Sequence, residues 1–437
     1  MTSVSTGPPP ARRMRELRMA ATGHPAPFGV TAPAYALAVS GWVAAAAALV
    51  ASADVLAEGA IFGSGPVLAA HLVGLVLFPC AVAAAVWQLL PVMLRNDPPT
   101  RRLRPVVLPL LAAGVPLAAG IALDVAPLAA AGAVLLALGL VMLLAEAAAL
   151  IRGAPPGRTL VVSRPAIALA LAHAAVAFAL GAVAFADGGP DPLGIPYARF
   201  LLIHLSVALI GWLTVLIAAV GRTLVPMLGL AATPPKRSAP LAEAGIVAGL
   251  WIYVAGLALG ADGAVVAGIA VMVAGLSPVA LRFLRVARTG TIGVREGPVA
   301  HVAVGLAFLL QAAALGVLAS LGEVDAYRGA TAAVVLLGLG WAAGVILGHL
   351  GKLVSLSGWG SWPPGPRPRQ EALYPTSLWQ LEVVAFATGV ELLGLGVLAG
   401  SPATALAGAL AVAAAALLAA AAVGKTLALV TRGRRRG

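Results

Sequence analysis

The sequence predicts an all-α, polytopic membrane protein of twelve transmembrane helices. Three observations carry this. The 437-residue chain is 61% hydrophobic and only 10% charged, a composition that soluble domains do not have. Apolar runs of about 20 residues, long enough to cross ~30 Å of hydrocarbon as helix, recur along its whole length. Basic and acidic loops alternate between the runs, as the positive-inside rule requires.

The elements follow in order. The first 29 residues form a basic, Pro-rich tail (Arg12, Arg13, Arg15, Arg18). No apolar stretch follows its charges directly, so no cleaved signal peptide is expected. The first span, 32–53, ends at the acidic turn of Asp54 and Glu58. The second, 67–94, contains His71 and is followed by Arg95, Arg101, Arg102 and Arg104. The third and fourth, 105–123 and 127–151, are parted by a short turn from Asp124 to Pro127, and Arg152, Arg158 and Arg164 come next. The fifth, 164–186, leads to Asp187 and Asp191. The sixth, 198–228, starts beside Arg199 and leads from Arg222 to Lys236 and Arg237. The seventh and eighth, 240–260 and 263–287, flank Asp262 and run into Arg282, Arg285, Arg288 and Arg295.

The ninth span, 298–320, precedes Glu323 and Asp325; the tenth, 328–357, carries Lys352 near its end. The connection 358–377 holds Arg367 and Arg369, and its prolines predict extended, irregular chain. Trp359 and Trp362 suit the membrane interface, where indole is favoured. The eleventh and twelfth spans, 378–398 and 402–430, complete a transmembrane domain over 30–430, and a basic tail covers 431–437.

With the N-terminus inside, all but Arg199 and Arg328 of the 28 lysines and arginines fall on the inner side. This predicts a multi-pass protein of the plasma (inner) membrane with both termini cytoplasmic. The lipid bilayer is its first partner. The net charge of +12 is scattered over short loops rather than gathered on one face, which excludes nucleic acid as a partner. Cys80 is the single cysteine and cannot form an internal disulfide.

Two spans share a pattern. HLVGLVLFPCAVAAAVWQLLPVML begins at His71 and HLSVALIGWLTVLIAAVGRTLVPML at His204, each closing on Leu-x-Pro or its like at Pro91 and Pro226. The tenth span joins them by aligning Gly340-Trp341 with Gly211-Trp212, which sets Ala333 opposite His204. Spans two, six and ten are four helices apart, so the repeat predicts three four-helix units.

Five of the six histidines lie inside spans: His71, His173, His204, His301 and His349. Imidazole is costly in hydrocarbon, and it is a favoured ligand for haem iron and copper. His71 and His204 each lie about five residues inside the outer boundary, roughly 7 Å deep, and can share one cofactor if their spans are neighbours. Two imidazoles under-coordinate zinc or copper, whereas haem needs only axial ligands. No Cys-x-x-Cys-His attachment is present, so the cofactor expected is a non-covalent, b-type haem, with copper as the other metal that imidazole suits. His301 and His349 lie toward the inner face and are candidates for a shared metal site; His173 is a third, isolated near mid-membrane. For each of these three the alternative is a hydrogen-bonded helix contact worth ~1 kcal/mol.

Glu391, in the middle of the eleventh span, is a candidate proton-relay element. Glu382 lies nine residues earlier, half a turn round the helix, so the two do not pair. Glu146, Glu243 and Lys425 are close enough to the inner interface to snorkel, and Gln88 and Gln311 are expected to cross-link helices.

The twelve spans, the four-helix units and the span carrying His71, Pro79 and Leu90-Pro91 resemble the heme-copper oxidase subunit I superfamily. His204-Leu205, Gly211-Trp212 and Val225-Pro226 are similar to a span that recurs in its short relatives. The resemblance implies an oxidase-like frame with a haem at His71. The chain departs from it in having no His-Pro-Glu in span six, no histidine in span seven and no His-x-His in span ten. Those segments hold the family's copper and active haem. The expectation is therefore a haem-binding membrane protein, oxidoreductase-like, with a redox, gas-sensing or nitric-oxide-related role and without oxygen reduction. Its electrons come from a separate donor protein or respiratory subunit, since no donor domain is present. Two rival readings are a proton-coupled secondary transporter, in which Glu391 and the histidines form the path, and a non-catalytic partner or assembly subunit of a respiratory complex.

Overall fold

In lipid the backbone has no hydrogen-bond partner but itself, so uncharged runs of Ala, Leu, Val and Gly close into helices. The computed structural model describes residues 24–94, 96–97, 99–154, 164–187, 191–231, 239–290, 294, 296–362, 366 and 368–436. Arg12, Arg13, Arg15, Arg18, Arg95, Arg158, Lys236, Arg237, Arg295 and Arg367 lie outside the described residues. Among those described there is no strand, and twelve helices are long and apolar enough to cross a membrane. They are α1 Phe28–Ala51, α2 Ser64–Leu94, α3 Arg101–Ala122, α4 Ala126–Arg152, α5 Pro165–Ala186, α6 Tyr197–Leu228, α7 Leu241–Leu259, α8 Asp262–Thr289, α9 Gly297–Ser320, α10 Ala326–Gly360, α11 Thr376–Ala399 and α12 Pro402–Arg434. The protein is an integral, multi-pass membrane protein. The side holding Arg104, Arg222 and Lys352 is called the basic face below.

The helices depart from expectation at three places. Helix α3 breaks at Ala113, because Pro116 has no N–H to donate to the Ala112 carbonyl. Helix α10 continues to Gly360, taking Trp359 into the helix, and a short 3₁₀ turn at Gln370–Leu373 follows. The last helix runs on to Arg436, through residues expected to form a tail; basic side chains are good helix formers and favour a helix C-terminus.

The three-unit repeat is clearest in a place the sequence reading did not reach. Helices α3–α4, α7–α8 and α11–α12 are hairpins built to one plan. A Cβ on Gly120 would stand 2.7 Å from the Ala129 Cα, on Gly256 2.6 Å from the Val265 nitrogen, and on Gly396 2.6 Å from the Ala405 Cα. Backbone cannot yield at such distances, so each hairpin closes only on glycine. Four residues after each of these glycines comes a left-handed residue: Asp124 (φ 53°), Gly260 (φ 68°) and Gly400 (φ 61°). The next N–H then donates back to the glycine carbonyl at 2.8 Å in all three turns: Val125 to Gly120, Ala261 to Gly256 and Ser401 to Gly396. This is one helix-ending motif used three times. Arg199 and Arg328, the two arginines off the basic side, belong to it. A Cβ on Gly260 would meet the Arg199 guanidinium at 2.6 Å, and one on Gly400 the Arg328 guanidinium at 2.7 Å. Each sits at the carbonyl end of a helix, where a cation is favoured.

Helices α2, α6 and α10 share a second device. Each contains a π-helical stretch, at Val73–Leu77, Val207–Thr214 and Leu336–Ala343. The latter two start three residues after His204 and Ala333, the residues that the sequence alignment pairs. In the first, the Leu75 carbonyl approaches the bare Cα of Gly114. The other two are tied to each other: the Trp341 indole N–H donates to Thr214 Oγ1 at 2.9 Å, and that hydroxyl donates to the Leu209 carbonyl at 2.8 Å. Helices α10 and α2 are the most buried of the twelve, and α6 is bound to α10 by the Trp341–Thr214 bond.

Each unit also holds a glutamate paired with an arginine or lysine toward the basic face. These are Arg104–Glu146 at 2.6 Å, Arg222–Glu243, and Lys352–Glu296 at 3.1 Å. Glu146 and Glu243 are buried and paired with arginine, so they do not snorkel to water; the guanidinium comes to them. Lys425 is exposed, as expected.

Candidate functional site

His71 lies two residues before the π stretch of α2, and His204 three residues before that of α6. The two are close enough to interact electrostatically. The His71 Nδ1–H donates to the Val67 carbonyl at 2.8 Å, and the His204 Nδ1–H to the Ala177 carbonyl of α5 at 2.9 Å. A carbonyl only accepts, so both rings carry their proton on Nδ1 and leave the Nε2 lone pair available. A backbone carbonyl fixing the tautomer of an otherwise free imidazole is how metal-ligating histidines are oriented. Both rings are half-buried, and Gly181 of α5 admits the His204 ring: a Cβ there would be 3.1 Å from its Cε1.

The remaining histidines separate clearly. His173 has both nitrogens engaged, Nδ1–H to the Leu169 carbonyl at 2.8 Å and Nε2 accepting from the Trp251 indole at 3.2 Å. Its ring lies in the space left by Gly211. That is the hydrogen-bonded helix contact weighed above. His301 and His349 do come together, within electrostatic reach of each other. His301 Nε2 bonds Glu382 Oε2 at 2.7 Å with both residues fully buried. His349 bonds the Val345 carbonyl through Nδ1 at 2.7 Å. Glu391 stands apart, half-buried, accepting from Gln311 of α9 at 3.2 Å. It faces a crevice between α9, α10 and α11. Gln88 cross-links as expected, accepting from the Tyr35 hydroxyl and donating to the Leu353 carbonyl at 3.0 Å.

Among the described residues no three His, Cys, Asp or Glu side chains converge as a metal site. The donor set of His71 and His204 thus suits a group needing two axial imidazoles and does not suit a three-ligand copper or zinc centre.

The sequence set Glu382 apart from Glu391 and pointed to no partner for it. A signal was available: Glu382 and His301 lie at similar depth from the basic ends of α11 and α9. A second feature had no sequence signature. An apolar cleft of about 1130 Å³, counting its open mouth, is walled by α2, α5, α6 and α10 with Tyr35 of α1 and Ala147 of α4, and its lining includes His349.

No protein-family model matches the chain, and no curated protein matches it.

Proposed function

We propose that the protein is a haem-binding, oxidoreductase-like membrane protein, with His71 and His204 as axial ligands to a b-type haem and the basic face toward the cytoplasm. One observation carries this reading: two histidines, at equivalent places of repeated helices, each hold Nδ1 on a carbonyl and keep Nε2 free. Haem bound there supplies one-electron chemistry. The chain does the rest. Val67 and Ala177 hold the imidazoles in the ligating tautomer, and Gly181 makes room for one of them. A haem held by His71 and His204 would serve electron transfer with a separate donor protein or respiratory subunit, or gas sensing, rather than oxygen reduction. The oxidase-like frame of the sequence resemblance agrees with this division.

The test is a reduced-minus-oxidised spectrum of detergent-purified protein made with ample haem supply. A b-type spectrum is expected, lost in His71→Ala and in His204→Ala and kept in His173→Gln. A colourless wild type overturns the reading. The second reading, a proton-coupled transporter, rests on the Glu391–Gln311 bond in an otherwise apolar crevice. It predicts a colourless protein whose flux is lost in Glu391→Gln.

A further inference from the structure

The most unusual chemistry left unassigned lies between α9, α10 and α11. His301 and Glu382 are both 0% exposed and His349 is 8% exposed. Buried polar atoms almost always have partners. Here His301 Nδ1, Glu382 Oε1 and His349 Nε2 have none, all in one neighbourhood. The neighbourhood is shaped to hold the His301 ring. A Cβ on Gly348 would stand 2.6 Å from the His301 Cβ, and the edge of Phe386 meets the ring at 5.2 Å between centroids.

The cluster is not isolated from the basic face. Tyr374, in the connection before α11, is buried, and its hydroxyl is at the start of α9 beside Gly297. Burial, and then the charge of Glu296, push the phenol above its ordinary range, and its ring stacks on Trp379, three residues before Glu382 on α11. Lys352 bonds both Glu296 oxygens at 3.1 Å and lies 4.4 Å over the Tyr374 ring. Glu296 and Lys352 are 13% and 14% exposed, the most solvent-accessible members of the series. At the other end, His349 forms part of the wall of the apolar cleft. Titratable groups are thus arrayed from the basic face inward, Glu296 with Lys352, Tyr374, Glu382 with His301, and His349, and the Tyr374 hydroxyl, like the three atoms above, has no hydrogen-bond partner among the described residues.

We propose that this series is a proton-transfer line joining the basic face to the central cleft. In the transfer step one proton binds Glu382 Oε1 from the Tyr374 side. One proton leaves His301 Nδ1 for His349 Nε2, while the Nε2–H bond to Glu382 stays in place. The pair begins as carboxylate with imidazolium and ends as carboxylic acid with neutral imidazole, so its net charge does not change. The transferred charge then rests on His349, which holds a proton on each ring nitrogen at the cleft wall, while the carboxyl–imidazole pair behind it stays neutral overall. Lys352 faces the line from α10 as its compensating cation at the mouth.

The line does not depend on the haem reading; a colourless protein tests it equally. The experiment follows the infrared band of the protonated Glu382 carboxyl in vesicles with the basic face outward, after a jump of external pH. The band is expected to respond to external pH, to vanish in Glu382→Gln and to shift in Glu382→Asp. Tyr374→Phe, which leaves the cluster intact, is expected to slow the response about tenfold, a barrier rise near 1.4 kcal/mol. A band that ignores external pH, follows only the internal pH, or responds equally fast in Tyr374→Phe overturns the proposal. If Glu382→Gln fails to assemble, the Tyr374→Phe kinetics and the Glu382→Asp shift still decide it.

Discussion

Severing the His301–Glu382 contact gives the sharpest energetic test of the site. The two side chains are fully buried and meet at 2.7 Å. Each is the other's only hydrogen-bond partner among the described residues, since His301 Nδ1 and Glu382 Oε1 have none. Removing one partner leaves the other as an unpaired group in hydrocarbon, which costs about 3 kcal/mol at the low end of the range for broken buried pairs. Glu382→Leu and His301→Leu should each lose about that much. The double variant buries two apolar side chains and strands nothing, so it should lose no more than either single, a coupling energy of about 3 kcal/mol or more. The assay is reversible unfolding in mixed micelles, read by tryptophan fluorescence. The half-buried Glu391–Gln311 pair serves as the comparison, with coupling of roughly 0.6 kcal/mol, the average for polar contacts between membrane helices. Losses that add to within about 0.5 kcal/mol at His301 and Glu382 would refute the claim that they act as a unit.

The hairpin repeat makes two further predictions. Gly396→Ala forces a methyl against the Ala405 backbone and should cost about 1–3 kcal/mol in the same unfolding assay, whereas Gly74→Ala, with nothing within 4 Å of its new Cβ, should be neutral or stabilising. Equal effects at the two sites would remove the argument that the hairpins close on glycine. Asp124 takes the left-handed turn that glycine fills in the other two hairpins, so Asp124→Gly should raise stability by about 1 kcal/mol, and a loss would show that the Asp side chain holds the turn by its own bonds.

The spans are legible in the sequence because a bilayer imposes one length and one polarity on every crossing. The fourth span is expected at 127–151 and found at 126–152, and the ends of the others agree to within about four residues. The break in α3 is legible too, once Pro116 is asked which carbonyl it fails to satisfy. The hairpin repeat is not easily seen, because its glycines are dispersed in an Ala-rich background where chance alignments abound. Only the left-handed turn singles them out. Of the candidate residues, the matched depth of His71 and His204 is sequence information, and so is that of His301 and His349. What no local pattern supplies is the partner across helices: Trp251 for His173, Ala177 for His204, Glu382 for His301. These contacts join residues 27 to 81 positions apart in the chain, and only the packing of the units brings them together.

The repeat also suggests where chemistry should be sought. Positions alike in all three units are structural: the turn, the hairpin glycines and the π stretches each solve a packing problem common to every unit. Chemistry needs residues that break the symmetry. Outer histidines occupy equivalent places in α2 and α6, but the third copy has Ala333. At the inner position the order reverses: the copies are Trp87, Val220 and His349. Trp87 there donates to Glu146, which an arginine already pairs, and so closes a structural contact. His349 instead leaves its Nε2 unpartnered beside His301. The proposed electron site thus belongs to units one and two near one face, and the proposed proton line to unit three near the other. The cleft walled by α2, α6 and α10 is where the three units meet between them. A frame of three copies lets each site diverge without disturbing the other, because the shared packing is carried by positions that neither site uses.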